Sequence, residues 1–310
     1  MSSSASAIGA VRAAPGEART SRLLEWGFVL PALVLLLGLN LFPLFFDIHL
    51  SFTNADLSGG VAEGVGGRNY TVLFSDARYA QAITTTAWFV VASVSIELVL
   101  GFVLALAMKD RMPGKPVVLT LLLIPMMLCP VVLSLFWNLI LNGHYGVCNQ
   151  FLGFLGLPEP QWLTSENLKF VSILIVDVWM WTPFMMLIAL AGLNAIPSYI
   201  YEAAEIDRAS RFTVFRRVTL PMCAPLLGLA VLLRATDALK QFDLVMAMTG
   251  PNDSATQTLS ARVYQVVFRD YKVGLGAAYG VVILVMVLAV ATLFVRYIDR
   301  LQRQQGRASA

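Results

Sequence analysis

YEAAEIDRASRFTVFRRVTLP, residues 201–221, is the only long polar, charged segment between two strongly apolar ones in the second half of this chain. It reads as two short helices with a break near Asp207-Arg208. Ala203, Ala204 and Ile206 give the first piece a small, partly apolar face. Phe212, Phe215, Val218 and Leu220 give the second an apolar stripe at roughly helical spacing. Leu220-Pro221 is expected to stop that pattern before the next apolar run. A short amphipathic helix pair at a membrane surface is built to dock on something. Packing as a solvated loop on the chain's own helices is the alternative.

The flanks make this a membrane protein. The 310 residues are 58% hydrophobic and 13% charged, whereas a soluble domain is closer to half apolar and a quarter charged. Six runs, at roughly 24–46, 82–107, 117–141, 168–192, 223–247 and 275–297, are long enough to cross a bilayer as helices. Each is apolar on most faces, as lipid requires, because hydrocarbon offers the backbone no hydrogen-bond partner. The expected fold is an all-α integral membrane protein of six transmembrane helices over 22–300. Residues 1–21, rich in Ser, Ala and Gly, are expected to form a disordered cytoplasmic tail, and 301–310 a second tail.

Orientation follows from Lys and Arg. With the N-terminus inside, the inner segments hold 14 of them and the outer segments 6, with Arg234 and Lys240 left inside a span. Both termini are then cytoplasmic, and so is the 201–221 stretch. The three cysteines lack CxxC spacing and the two histidines, His49 and His144, are far apart, so neither a metal site nor a disulfide framework is expected.

Polar residues inside spans are the strongest pointers to function, because a charge at mid-membrane costs about 2.5–3.5 kcal/mol even on lenient scales. In the fifth span Arg234, Asp237 and Gln241, spaced i, i+3, i+7, share one helical face. Lys240 and Asp243 lie on an adjoining face and could pair. The fourth span adds Asp177, with Trp179 and Trp181 away from the interface where Trp usually concentrates, and Pro183 breaking the helical ladder. Aromatic faces suit the apolar C–H face of a sugar, and amides and carboxylates suit its hydroxyl rim. These residues therefore read either as a polar wall of a translocation path or as buried pairs that fix helix packing. Trp137-Asn138 is a weaker candidate of the same kind. The phosphate-loop pattern GxxxxGK[ST] is missing, as are HExxH and GxSxG. Neither catalytic residues nor a bound cofactor are expected, and nucleic acid is not expected as a partner.

Glu202-Ala203-Ala204, then Asp207, then Leu220-Pro221 resembles the EAA loop of permease subunits of bacterial ABC importers. Residues 123–152, 179–204 and 237–251 resemble the carbohydrate branch, the maltose and glycerol-3-phosphate permeases, and Phe242, Asp243, Thr249, Gly250 and Pro251 fit its FDxxxxxTxGP-like segment. The resemblance implies the type I importer permease fold, with 199–221 as the coupling helix-turn-helix seated on a cytoplasmic ATPase subunit. Glu202, Ala203, Ala204, Asp207, Arg208, Leu220 and Pro221 would form that contact. One departure stands out: the family usually has Gly after the Asp, and this chain has Arg208. Glycine permits a turn that other residues resist, so a φ below zero or an altered loop is expected. The family's sugar-contacting positions correspond here to Met180, Trp181, Phe184, Arg234, Asp237, Ala238 and Gln241.

By this resemblance the chain is one membrane subunit of a sugar importer in the bacterial inner membrane. Its partners would be membrane lipid, a second homologous permease, two ATP-binding subunits that use ATP and Mg, and an extracytoplasmic sugar-binding protein. An importer for glycerol-3-phosphate is an alternative. So is an ion-coupled secondary transporter using Asp177, Asp237 and Asp243.

Overall fold

The computed structural model describes residues 17–110 and 112–308. Residues Glu17–Leu50 form helix α1, with Pro31 and Pro43 inside it. Its one amide side chain, Asn40, donates from Nδ2 to the Leu36 carbonyl at 2.7 Å, which spares a polar group in an apolar run. The tail expected over 1–21 lies outside the described residues up to residue 16, and Glu17–Ser21 are already helical. Helix α1 as far as His49 belongs to one unit, and the chain from Leu50 onward forms a second.

The second unit opens with a loop closed by an antiparallel bridge between Thr53 and Gly64. Then come α2 (Arg68–Ser75), α3 (Ala77–Lys109), α4 (Lys115–Met127), α5 (Pro130–Ile140), α6 (Val147–Phe154) and α7 (Glu166–Asn194). Helices α8 (Ser198–Ile206), α9 (Arg211–Val214), α10 (Leu220–Ala238), α11 (Asp243–Met248), α12 (Leu259–Tyr264) and α13 (Val273–Ala308) complete it. Among the described residues, five helices are long and apolar enough to cross a membrane, and a bent pair makes a sixth if the pair is one span. Residues 301–308, expected as a tail, continue α13.

Two expected spans are broken. The run at 117–141 bends by 98° between α4 and α5. Pro130 begins α5 and holds the preceding Cys129 in the extended region at φ −63°, ψ 129°, because a proline ring clashes with a helical residue before it. The run at 223–247 ends as a helix at Ala238 and restarts at Asp243. Gln241 covers the gap: its Oε1 accepts from the Phe242 amide at 3.1 Å, and its carbonyl accepts from Thr258 Oγ1 at 2.7 Å.

Leu220-Pro221 does not end a helix. Arg211–Ala238 runs on as one 28-residue span, with a π turn at Phe215–Thr219. Pro221 has no N–H to give, and the widened turn just before it absorbs the missing bond.

Helices α3 and α7 form the spine of the bundle. They cross so closely at Gly101 that an added Cβ would lie 2.6 Å from Met185 Cβ and 2.8 Å from the Met186 amide nitrogen. Small residues let membrane helices approach like this. Phe102, Met186, Leu190, Leu193, Cys223 and Leu227 fill the core on the side of α8. Phe89, Ile173, Val176, Met180, Leu244 and Val245 fill it towards α11.

Candidate functional site

Arg234 sits at the centre of a buried ionic knot. Its Nε donates to Glu97 Oε2 at 2.9 Å and its Nη2 to Glu97 Oε1 at 3.1 Å. Nη2 also donates to Asp177 Oδ2, and Nη1 to Asp237 Oδ2 at 3.3 Å. Glu97 and Asp177 are 0% exposed and Arg234 2%. Helices α3, α7 and α10 each contribute a charge, so the knot ties the three together. The planar guanidinium suits this work, because its fork meets one carboxylate on two prongs and still reaches others.

The knot backs onto a small polar cleft of about 150 Å³, lined by Pro130, Met180, Trp181, Asp237, Lys240, Gln241, Phe242, Asp243 and Leu244. The breaks in the two spans build it: Pro130 comes from the bend before α5, and Gln241 and Phe242 from the gap between α10 and α11. Gln241 Nε2 donates to Asp177 Oδ1 at 3.2 Å, which links the lining to the knot. Arg234 Cζ lies 5.0 Å from the centroid of the Trp181 ring, a cation–π distance. The Trp181 and Phe184 rings meet edge to face at 6.2 Å.

Met180, Trp181, Asp237 and Gln241 of the residues expected on the path thus come together on the cleft. Arg234 and Ala238 are buried behind it, and Phe184 packs in the core beside Trp181. Lys240 does not reach Asp243; its Nζ lies 4.0 Å from Asp237 Oδ1, because the helix has ended between them. Trp137 packs edge to face on Trp179 at 5.5 Å, and Asn138 Nδ2 donates to the Ala247 carbonyl at 3.3 Å, joining α5 to α11. Sequence reasoning passed over Glu97. The available signal was its place as a lone carboxylate amid the apolar second run, where a charge must find a partner.

The second candidate site is the turn between α8 and α9. Glu202, Ala203, Asp207 and Arg208 are exposed there, with Ala204 half-buried. Ile206 and Phe212 are 82% and 71% exposed, so the loop presents apolar side chains among its charges. Leu220 and Pro221, exposed at the start of α10, stand a π turn away from it.

Arg208 keeps the left-handed backbone that a glycine would adopt, at φ 53°. The negative φ expected as one option is therefore not found. The Arg208 amide donates to the Glu205 carbonyl at 3.0 Å and the Ala209 amide to the Ala204 carbonyl at 2.9 Å. This pair of bonds is the Schellman closure of a helix end. On the far side Ser210 Oγ accepts from the Thr213 amide at 3.2 Å and caps α9. Hydrogen bonds on both flanks hold the turn in a conformation the side chain alone would disfavour.

Residues 97–304 match the family described as binding-protein-dependent transport system inner membrane component. The chain is 37% identical over 234 residues to the trehalose/maltose transport system permease protein MalF of Thermococcus litoralis, covering 75% of this chain and 79% of that one. It is 32% identical over 288 residues to the trehalose transport system permease protein SugA of Mycobacterium tuberculosis, covering 93% and 92%. Among solved structures it resembles a chain of a bacterial ABC transporter involved in import of the acidic polysaccharide alginate. That match has a TM-score of 0.80 at 20% identity and covers 92% of this chain and 98% of that one, so the two share the fold.

Proposed function

The chain belongs to the binding-protein-dependent transport system inner membrane components, and on that premise we propose that it is the sugar-conducting permease subunit of an ATP-driven importer. It is a transport subunit and not an enzyme. The proposed cargo is a neutral sugar such as the disaccharides named for its relatives. Both termini face the cytoplasm in this reading, which the excess of Lys and Arg on that side supports. A second, homologous permease completes the path, a binding protein delivers the sugar from outside, and two ATPase subunits bind ATP and Mg below.

In this reading α8 and α9 seat in the ATPase. Glu202 meets a basic group there, and Ile206 and Phe212 bury their exposed apolar surface. ATP can shift the bundle only through its differential affinity for two states, so this contact is obligatory. The sugar passes the cleft, where Trp181 offers an aromatic face and Asp237, Gln241 and Asp243 accept or donate at its hydroxyls. The observation that carries the proposal is continuity: one unbroken span, Arg211–Ala238, leads from the exposed turn to the edge of the cleft.

The test is Glu202→Lys in the assembled system. The expected result is loss of ATPase subunits from the purified complex and loss of uptake, with the chain still inserted. Wild-type co-purification and uptake would remove the coupling assignment. Uptake that persists without any ATPase subunit and collapses with a protonophore would favour the ion-coupled alternative.

A further inference from the structure

Helices α3 and α10 are linked at two levels, directly at one and through α8 at the other. The far level is the knot, where Glu97 of α3 grips Arg234 of α10 on two prongs. The near level runs through the coupling helix. Lys109 Nζ, at the end of α3, lies 3.7 Å from the centroid of the Tyr201 ring of α8. Tyr201 Oη is in turn 3.3 Å from Oγ1 of Thr219, the last residue of the π turn that leads into α10. Twelve residues separate the levels on α3 and fifteen on α10, about 18 and 22 Å of helix respectively.

We propose that α3 and α10 form a two-rung frame that carries the movement of α8 to the cleft, with Glu97 as the positioning residue of the far rung. The physical reason lies in the rungs. Sliding Arg234 away from Glu97 would leave the Glu97 carboxylate buried without its countercharge, and breaking such a pair is strongly unfavourable. The far rung therefore stays closed while the bundle changes state. The near rung ties both helices to one side chain of α8. A push on α8 then moves α3 and α10 together instead of bending each alone. The cleft feels that movement because Asp237 and Gln241 are held by the same knot, at 3.3 Å to Arg234 and 3.2 Å to Asp177.

The inference rests on the reading of α8 and α9 as the ATPase seat, and it does not depend on which sugar passes. It is tested in the complete complex in proteoliposomes. A Lys240→Cys reporter on the cleft is placed in a background with Cys129, Cys148 and Cys223 replaced. The rate of labelling by a charged maleimide is measured with and without ATP and vanadate, and trapped vanadate counts closure of the ATPase subunits. The expected result is a change of labelling rate of at least about threefold on trapping. Glu97→Gln should bring that ratio close to one at an undiminished level of trapping, and Glu97→Asp should restore much of it. Tyr201→Ala, which cuts the near rung at a half-buried side chain, should also flatten the ratio, and it decides the matter if Glu97→Gln does not assemble.

A reporter that does not respond to trapping overturns the proposal. So does a full response in Glu97→Gln or Tyr201→Ala, or a response that falls only in proportion to trapping. A complex that lacks its ATPase subunits would sink the seat assignment together with the inference built on it.

Discussion

Arg234 and Glu97, 137 residues apart in sequence, meet through two parallel hydrogen bonds of 2.9 and 3.1 Å in the interior of the bundle. Arg234→Leu would leave Glu97 and Asp177 buried without a countercharge. Breaking a buried pair in this way costs about 3–5 kcal/mol. The expected outcome is a large fall in the thermal unfolding temperature of the complex in detergent. Arg234→Lys should recover little, because an ammonium cannot reproduce the two-pronged grip. A lysine variant as stable as the parent would show that the fork is dispensable.

On the cleft, Asp237→Ala or Gln241→Ala should lower sugar uptake while leaving the binding protein's affinity for sugar unchanged. The check is initial uptake rate in proteoliposomes beside a titration of the isolated binding protein. Normal uptake in both variants would return these residues to a packing role.

At the turn, Arg208→Gly removes a left-handed strain of about 1–2 kcal/mol. It also adds about 0.5–1 kcal/mol of chain entropy to the unfolded state. The net gain should lie between about 0 and 1.5 kcal/mol by those two magnitudes, with coupling retained. Arg208→Val should move the other way, because a β-branched residue is poorly accommodated at positive φ. Rates of limited proteolysis between α8 and α9 would report both. Faster cleavage of the glycine variant than of the valine variant would contradict the strained-turn account.

Between α3 and α7, Gly101→Ala should destabilise by about 1–3 kcal/mol, the usual cost of overpacking. The added methyl would meet Met185 Cβ and the Met186 backbone, and backbone cannot swing aside. The measurement is again thermal unfolding of the complex, with loss expected to deepen from alanine to leucine.

Asp76, the cap of α3, accepts from the Arg78 amide at 2.9 Å and from Arg262 Nη2 at 2.8 Å. Burial pushes its carboxyl up, but these bonds and the Arg262 charge outweigh burial and hold it below the usual carboxylate value. A lowered folded value means stability that is present above the ordinary carboxylate range and lost as pH falls through the lowered value. Asp76→Asn should flatten that acid-side loss in unfolding temperature and lower stability at neutral pH. An unchanged acid profile in the variant would assign the acid sensitivity elsewhere.

Residue order alone carries the membrane character, a count of five or six crossing segments and the polar loop at 201–221. Lipid forces these to be written in consecutive residues, because a backbone in hydrocarbon must satisfy its own hydrogen bonds and a charge must be placed or matched. It also marked Asp177, Arg234, Asp237 and Gln241 as unusual, each being costly where it stands.

What those charges do depends on packing between distant helices. Arg234 draws its partners from helices 57 and 137 residues away, and no local pattern encodes such a pairing. The same holds for the cleft, which exists because two spans break next to each other. The break before Pro130 has a local cause in that proline, but the break at Leu239–Phe242 depends on Gln241 and on Thr258, seventeen residues on. Arg208 shows the same division of control. Its residue type argued against a left-handed turn, and the turn forms because flanking hydrogen bonds over-determine the backbone there. Pro221 argued for a helix end, and a π turn carried the helix through. Local rules yielded wherever several distant or cooperative contacts outweighed a single residue's preference of about 1–3 kcal/mol.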